Sequence, residues 1–199
     1  FGTDSLGRDC LTRIFYGGRY SLSMGVLSAL ISSGISIVLG GLCGYFGGWV
    51  DNLIMRICDI IQSIPGMLLS IIISATLGIG YDNTIIALTI GGIAGGTRLQ
   101  RGQVLAIRKE EYLEAATMVN CSASRIMFKH MLPNALSATI VGTTMGMGNT
   151  IMVAASLSFI GLGVQPPTPE WGAMLSSGRD VIRKYPHIMV FPGIFIFLA

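Results

Sequence analysis

Charge is what this sequence has least of: only 12% of its 199 residues are Asp, Glu, Lys or Arg, about half the share of an average soluble domain. So few charges cannot cover the surface of a water-soluble domain of this length. Intrinsic disorder is excluded as well, because 51% of the residues are hydrophobic and a disordered chain is poor in them. Histidine occurs twice, at His130 and His187, and neither lies in a ligand spacing such as H-E-x-x-H, so no resident metal is expected. There is no Gly-Lys dipeptide, which removes the G-x-x-x-x-G-K-[ST] phosphate loop and any ATPase site of the chain's own. The four cysteines, Cys10, Cys43, Cys58 and Cys121, lack C-x-x-C spacing, and Cys43 lies deep in an apolar run. All four read as free thiols. Net charge is +3, but the basic residues are scattered between apolar blocks, so nucleic acid is not an expected partner.

What is present is a series of long uncharged runs. Residues 20–50 form the first, between Arg19 and Asp51, followed by 60–81, 83–97, 131–169 and 185–199. A helix needs about 20 apolar residues to cross a hydrocarbon core, so the runs predict about five spans. The second should kink at Pro65, and the third is short enough to require Arg98 and Arg101 to snorkel toward headgroups. In the fourth, residues 135–162 make the helix and 163–169 a loop. Continuous runs without alternation favour helices over a barrel. The expected fold is therefore all-α, a polytopic transmembrane helix bundle forming one domain over 1–199. Phe1 is not an initiator and the last run stops at Ala199, so a chain truncated at both ends is expected.

Glycine is abundant, with 27 residues. Gly40, Gly44 and Gly48 recur on one helical face, and Gly91 with Gly95 and Gly142 with Gly146 repeat the spacing; all predict close helix packing. Six of the 13 basic residues fall between Arg98 and Lys129, which places that connector on the cytoplasmic side. Phe1–Arg19 and Val164–Lys184 then lie outside. Asn120-Cys121-Ser122 matches a glycosylation pattern but falls on the inner side. Arg56 and Asp59, three apart, suggest an interfacial salt bridge ahead of a pore-lining pair. Asp82 reads as a solvated turn residue. Met145, Met147 and Met152 read as packing ahead of pathway lining. Pro166-Pro167-Thr168-Pro169 forces an extended turn, Trp171 suits a headgroup belt, and Arg8, Arg13 and Arg19 read as interfacial anchors rather than substrate contacts.

The connector at 106–133 is polar at both ends and apolar in the middle. Glu110 to Val119 carries acids in its first turn, favourable for the helix dipole, and Asn120 suits the left-handed position that ends a helix. A second short helix can start at Ser122 or Ser124, and Pro133 suits the first turn of the next span. Glu114-Ala115-Ala116, the turn residue six positions after Glu114, and Leu132-Pro133 together resemble the EAA loop of ABC importer permeases. Gly2-Thr3-Asp4-Ser5-Leu6-Gly7-Arg8-Asp9 and the stretch from Leu157 to Gly172 are similar to the dipeptide, oligopeptide and nickel branch of that family. Asn120 departs from the pattern, since the family usually has Gly there.

The resemblance implies a bundle of the type I ABC importer permease kind, with six spans in a full-length protein, in a prokaryotic cell membrane. It implies transport of di- or oligopeptides, with nickel or another small solute as the alternative. The implied partners are a homologous second permease, two cytoplasmic ATP-binding subunits that hold ATP and magnesium, an extracytoplasmic solute-binding protein, and membrane lipid. It implies that the loop at 106–133 docks on the ATPase through Tyr112, Leu113, Glu114, Ala115, Ala116, Asn120, Leu132 and Pro133. Met118 and Val119 would add apolar contacts of the helix-in-groove type. The rival from another class is an ion-coupled secondary transporter, which usually places ionisable residues deep in the membrane. A passive channel would need no nucleotide.

Overall fold

A computed structural model describes residues 1–199, and its regular structure is helical. In chain order the helices are α1 (Cys10–Phe46), α2 (Gly48–Gln62), α3 (Gly66–Leu77), α4 (Tyr81–Ile107), α5 (Glu111–Met118), α6 (Ala123–Arg125), a π-helical stretch (Ile126–Met131), α7 (Leu132–Phe159), α8 (Trp171–Gly178), a 3-10 turn (Arg179–Val181) and α9 (His187–Leu198). By length and composition, two helical runs can cross a membrane, Cys10–Phe46 and the uninterrupted Ala123–Phe159. There are up to three if α2 and α3 together make one bent span. The three-residue break between them turns the chain by 84°, a sharper event than the kink expected at Pro65. Proline removes a backbone donor and drives the residue before it out of the helical region, so α2 stops at Gln62 and α3 starts after Pro65. The first span likewise ends earlier than expected. Gly47 and Gly48 both have positive φ, 63° and 55°, so Gly48 lies outside α1 and takes no part in its packing face.

The chain forms two compact units. The first comprises Phe1–Ala29, Met67–Thr89 and Gly146–Ala199. Its core holds Met24, Leu88, Ala154, Leu157 and Val164, with a second cluster of Ile14, Trp171 and Met174. Glu170 is fully buried and caps α8 by accepting from the Ala173 amide at 2.8 Å, while its other oxygen accepts from Ser21 Oγ at 2.8 Å. Trp171 donates from Nε1 to the Ile14 carbonyl at 2.9 Å. A buried carboxylate is tolerable when hydrogen bonds satisfy it; here those bonds tie the start of α8 to the first half of α1. At the N-terminus Asp4 organises a tight loop, accepting from the Leu6 and Arg8 amides and from Arg8 Nε.

The second unit comprises Leu30–Gly66 and Ile90–Met145. Here α1 and α4 pack through small residues: a side chain at Gly92 would strike Ser32, one at Gly96 would strike Ser36, one at Gly40 would strike Gln100, and one at Gly44 would strike Val104. Ser36 Oγ donates to the Ile93 carbonyl at 3.0 Å. On α4 it is thus Gly92 and Gly96 that come closest to α1, while Gly95 meets Gln62 Nε2 of α2 at 3.7 Å, Gly142 approaches Leu99 and Gly146 meets nothing within 4 Å. Two ion pairs fasten α2 to α4. Arg101 binds Asp51 bidentately, with both contacts at 2.5 Å, and Arg98 pairs with Asp59. The expected Arg56–Asp59 bridge is thus replaced by Arg98–Asp59, and the two α4 arginines meet carboxylates rather than headgroups.

Candidate functional site

Between α4 and α7 the chain builds a small connector. At its start Glu110 is extended, with φ −77° and ψ 136°, and its carbonyl accepts the Leu113 amide at 3.0 Å, so it is the residue at which α5 begins. Glu111 and Glu114 stand in the first turn, where the exposed amides favour negative charge. At its end the Asn120 amide donates to the Thr117 carbonyl at 3.0 Å and the Cys121 amide to the Ala116 carbonyl at 3.1 Å, the paired bonds of a Schellman closure. That closure needs a left-handed residue, and Asn120 supplies it with φ 58°, alone among the non-glycine residues. Asparagine is the side chain that tolerates this region best after glycine, so the departure from the family pattern leaves the geometry intact.

An isolated helix of eight residues does not persist in water, so α5 must be held from one side. Leu113 is buried, and Ala116 and Cys121 are partly buried, in a cluster with Ile126, Met127, Met131, Leu132 and Ala135; Val104 and Ile107 of α4 and Leu42 and Tyr45 of α1 complete it. Tyr112 accepts a hydrogen bond on its hydroxyl from Asn134 Nδ2 at 2.9 Å. The opposite face is open: Glu114 and Ala115 are exposed, and Met118 and Val119 are 84% and 73% exposed. A cavity of about 300 Å³ opens beside the helix, lined among others by Tyr45, Arg108, Glu114 and Thr117. Arg108 reaches back to the Gly44 carbonyl at 3.5 Å.

The eight residues expected to dock therefore divide. Leu113 and Leu132 are buried in the unit's own core, where they shape the connector. Ala116 is half-buried, Asn120 closes the helix, and Tyr112, Glu114, Ala115 and Pro133 are exposed. Sequence reasoning missed Asn134 and Arg108. In the sequence Arg108 is one more positive charge of the connector, and nothing in local spacing links Asn134 to Tyr112 across 22 positions. The second short helix is also different from expectation. Ser122 precedes α6, but α6, the π-helical stretch and α7 run on without a break, so Pro133 sits just inside a longer helix and does not open one. The Leu132 amide bonds the Met127 carbonyl, five residues back. This widened register immediately precedes the residue that has no amide to donate, as π-turns in helices often accompany such local defects.

Comparison with known proteins bears on the family and the fold. Residues 36–199 match the model of the family described as binding-protein-dependent transport system inner membrane component. The chain is 45% identical over 198 residues to the glutathione transport system permease protein GsiD of Pectobacterium atrosepticum, and 47% identical over 199 residues to GsiD of Escherichia coli O6:K15:H31; each alignment covers 100% of this chain and 66% of the relative. The chain thus spans about two thirds of the length of these curated relatives. Among solved structures, inward-facing conformations of the MetNI methionine ABC transporter share the fold. The native crystal form gives a TM-score of 0.74 at 18% identity over 94% of this chain and 89% of that one, and the selenomethionine-soaked form gives 0.73, covering 94% and 91%. The motifs at the connector, the all-helical fold and the family match converge: this chain belongs to the family of inner membrane components of binding-protein-dependent transport systems.

Proposed function

We propose that the chain is a permease subunit of an ATP-driven importer of peptides, and that α5 is the element gripped by a separate ATPase. The observation that carries this reading is the division of α5 into two faces. Leu113 and Ala116 fix it to its own unit, while Ala115, Met118 and Val119 form an exposed apolar strip flanked by Glu111 and Glu114. An apolar strip on so short a helix fits a groove in a partner, and the small Ala115 allows close approach. The carboxylates suit basic or amide donors at the rim of that groove.

Peptide transport is supported by the two relatives named as permeases of a glutathione system. Orientation follows from the density of Lys and Arg in the connector, which puts α5 on the cytoplasmic side and the N-terminal loop and the Pro166–Pro169 turn outside. ATP binding would change how the ATPase dimer holds the α5 helices of the two permeases. The helix bundle is then biased between inward-open and outward-open packings, which requires the engine to contact the two packings with different affinity. The chain itself contributes no hydrolytic chemistry in this scheme.

Ala115→Trp, placed in the open strip away from Leu113, tests it in the full complex. The expected result is normal membrane insertion, loss of ATPase co-purification or of ATP-linked uptake by at least ten-fold, and recovery with Ala115→Gly or Ala115→Ser. Wild-type uptake by Ala115→Trp would overturn the role of α5.

A further inference from the structure

The first compact unit holds a second cavity, of about 470 Å³, lined by Tyr16, Arg19, Tyr20 and Ser23 of α1, Tyr81 of α4 and Pro169. That volume lies within the range of small-molecule sites. Its floor is already satisfied. Tyr81 donates its hydroxyl proton to Ser23 Oγ at 2.8 Å, and Ser23 in turn donates to the Arg19 and Tyr20 carbonyls. Tyr20 and Tyr81 meet edge to face with centroids 5.8 Å apart, forming an aromatic corner. Arg19 lies over the Tyr16 ring with its guanidinium carbon 5.0 Å from the centroid.

The charges nearby sharpen the point. Arg8 and Arg13, the other two cations of the N-terminal segment, both pair with Asp4 at 2.7 and 3.7 Å, and Arg13 also reaches the Pro167 carbonyl. Arg19 has no carboxylate within ion-pair distance. It therefore keeps a fork of donors on an aromatic wall, positioned for a planar anion, beside a corner that suits an apolar or aromatic side chain.

We propose that this cavity binds the C-terminal carboxylate of a short peptide through Arg19, with the neighbouring side chain of that peptide against Tyr20 and Tyr81. This deepens the peptide-importer reading and rests on it, since there this end of α1 lies on the outer side of the membrane. The same fork would also take a lipid phosphate, so the test separates the two anions.

The probes are the dipeptide Ala–p-benzoylphenylalanine and its C-terminal amide, photocrosslinked to the complete transporter in phosphatidylcholine nanodiscs and mapped by mass spectrometry. The free acid should label the segments around Tyr16–Ser23 and Tyr81 at least ten-fold more than the amide. Arg19→Gln should abolish that preference, and Tyr20→Ala should lower labelling by both probes while leaving the acid preferred. Equal labelling by acid and amide in the wild-type protein would overturn the proposal whether or not any variant folds. Loss of labelling when phosphatidylglycerol is added would assign the fork to lipid and overturn it as well. Transport that remains ATP-driven and dependent on α5 while this labelling is absent would sink only the cavity assignment; transport independent of ATP and α5 would sink the importer reading beneath it.

Discussion

Asn120 is a single backbone position on which the shape of the connector turns. Its left-handed conformation lets two successive amides close α5, and a β-branched residue there meets a steric penalty of about 1–2 kcal/mol. Asn120→Gly is expected to leave the thermal midpoint of the detergent-purified protein nearly unchanged. Asn120→Val is expected to lower it and to weaken ATPase co-purification in parallel; an unchanged midpoint for the valine variant would show that the closure contributes nothing. Asp4 offers a pH-dependent counterpart. Burial pushes its carboxyl upward, but the Arg8 amide and guanidinium and the Leu6 amide outweigh burial and hold it below the ordinary value of 3.8. A lowered native value means that the loop's stabilisation is complete above that ordinary value and is lost as pH falls through the native one. Proteolysis near the N-terminus should therefore rise on acidification below about pH 4 in the wild type. In Asp4→Asn it should be raised already at neutral pH and change little across that interval.

At the scale of elements, the two ion pairs between α2 and α4 look alike and should not behave alike. The Arg101–Asp51 pair is bidentate and its carboxylate side chain is 15% exposed, whereas Arg98 and Asp59 are 44% and 49% exposed. Exposed pairs contribute little because solvent screens them and their side chains lose freedom. Double-mutant cycles with Asp51→Asn and Arg101→Gln are expected to give a coupling of about 1 kcal/mol or more, and those with Asp59→Asn and Arg98→Gln about half of that or less. Equal couplings would contradict the burial argument. These elements also mark how far the sequence could be read. Uncharged runs located α1 and α7 because spanning length and apolarity are properties of composition. That Gly92 and Gly96 face α1 was not legible, since Gly91 and Gly95 have the same spacing and only the rotation of α4 decides which pair meets α1. The pairing of Asp59 with Arg98 was hidden for a similar reason, as the competing partner Arg56 is close in sequence and Arg98 is close only in space.

For the whole molecule, the connector motif located the candidate site and even predicted the left-handed turn at Asn120, because that motif is a local run of residue types. It could not reveal which of its side chains face inward: Leu113 and Leu132 stand in the motif beside Ala115, yet burial separates them. Reconstituted vesicles provide the test at this scale. Uptake of glutathione or a dipeptide by the assembled transporter should require ATP and the solute-binding protein, and should be unaffected when proton and sodium gradients are collapsed. Uptake driven by an ion gradient alone would move the chain to a different transport class. The unbroken run from Ala123 to Phe159 gives the molecule a further mechanical property. At 1.5 Å per residue it measures about 55 Å, and only Cys121 and Ser122 separate it from the Asn120 turn. A π-turn carries one residue more than an α-turn, so Ile126–Met131 is where a residue could be added to or taken from this helix with its hydrogen-bonded course unbroken.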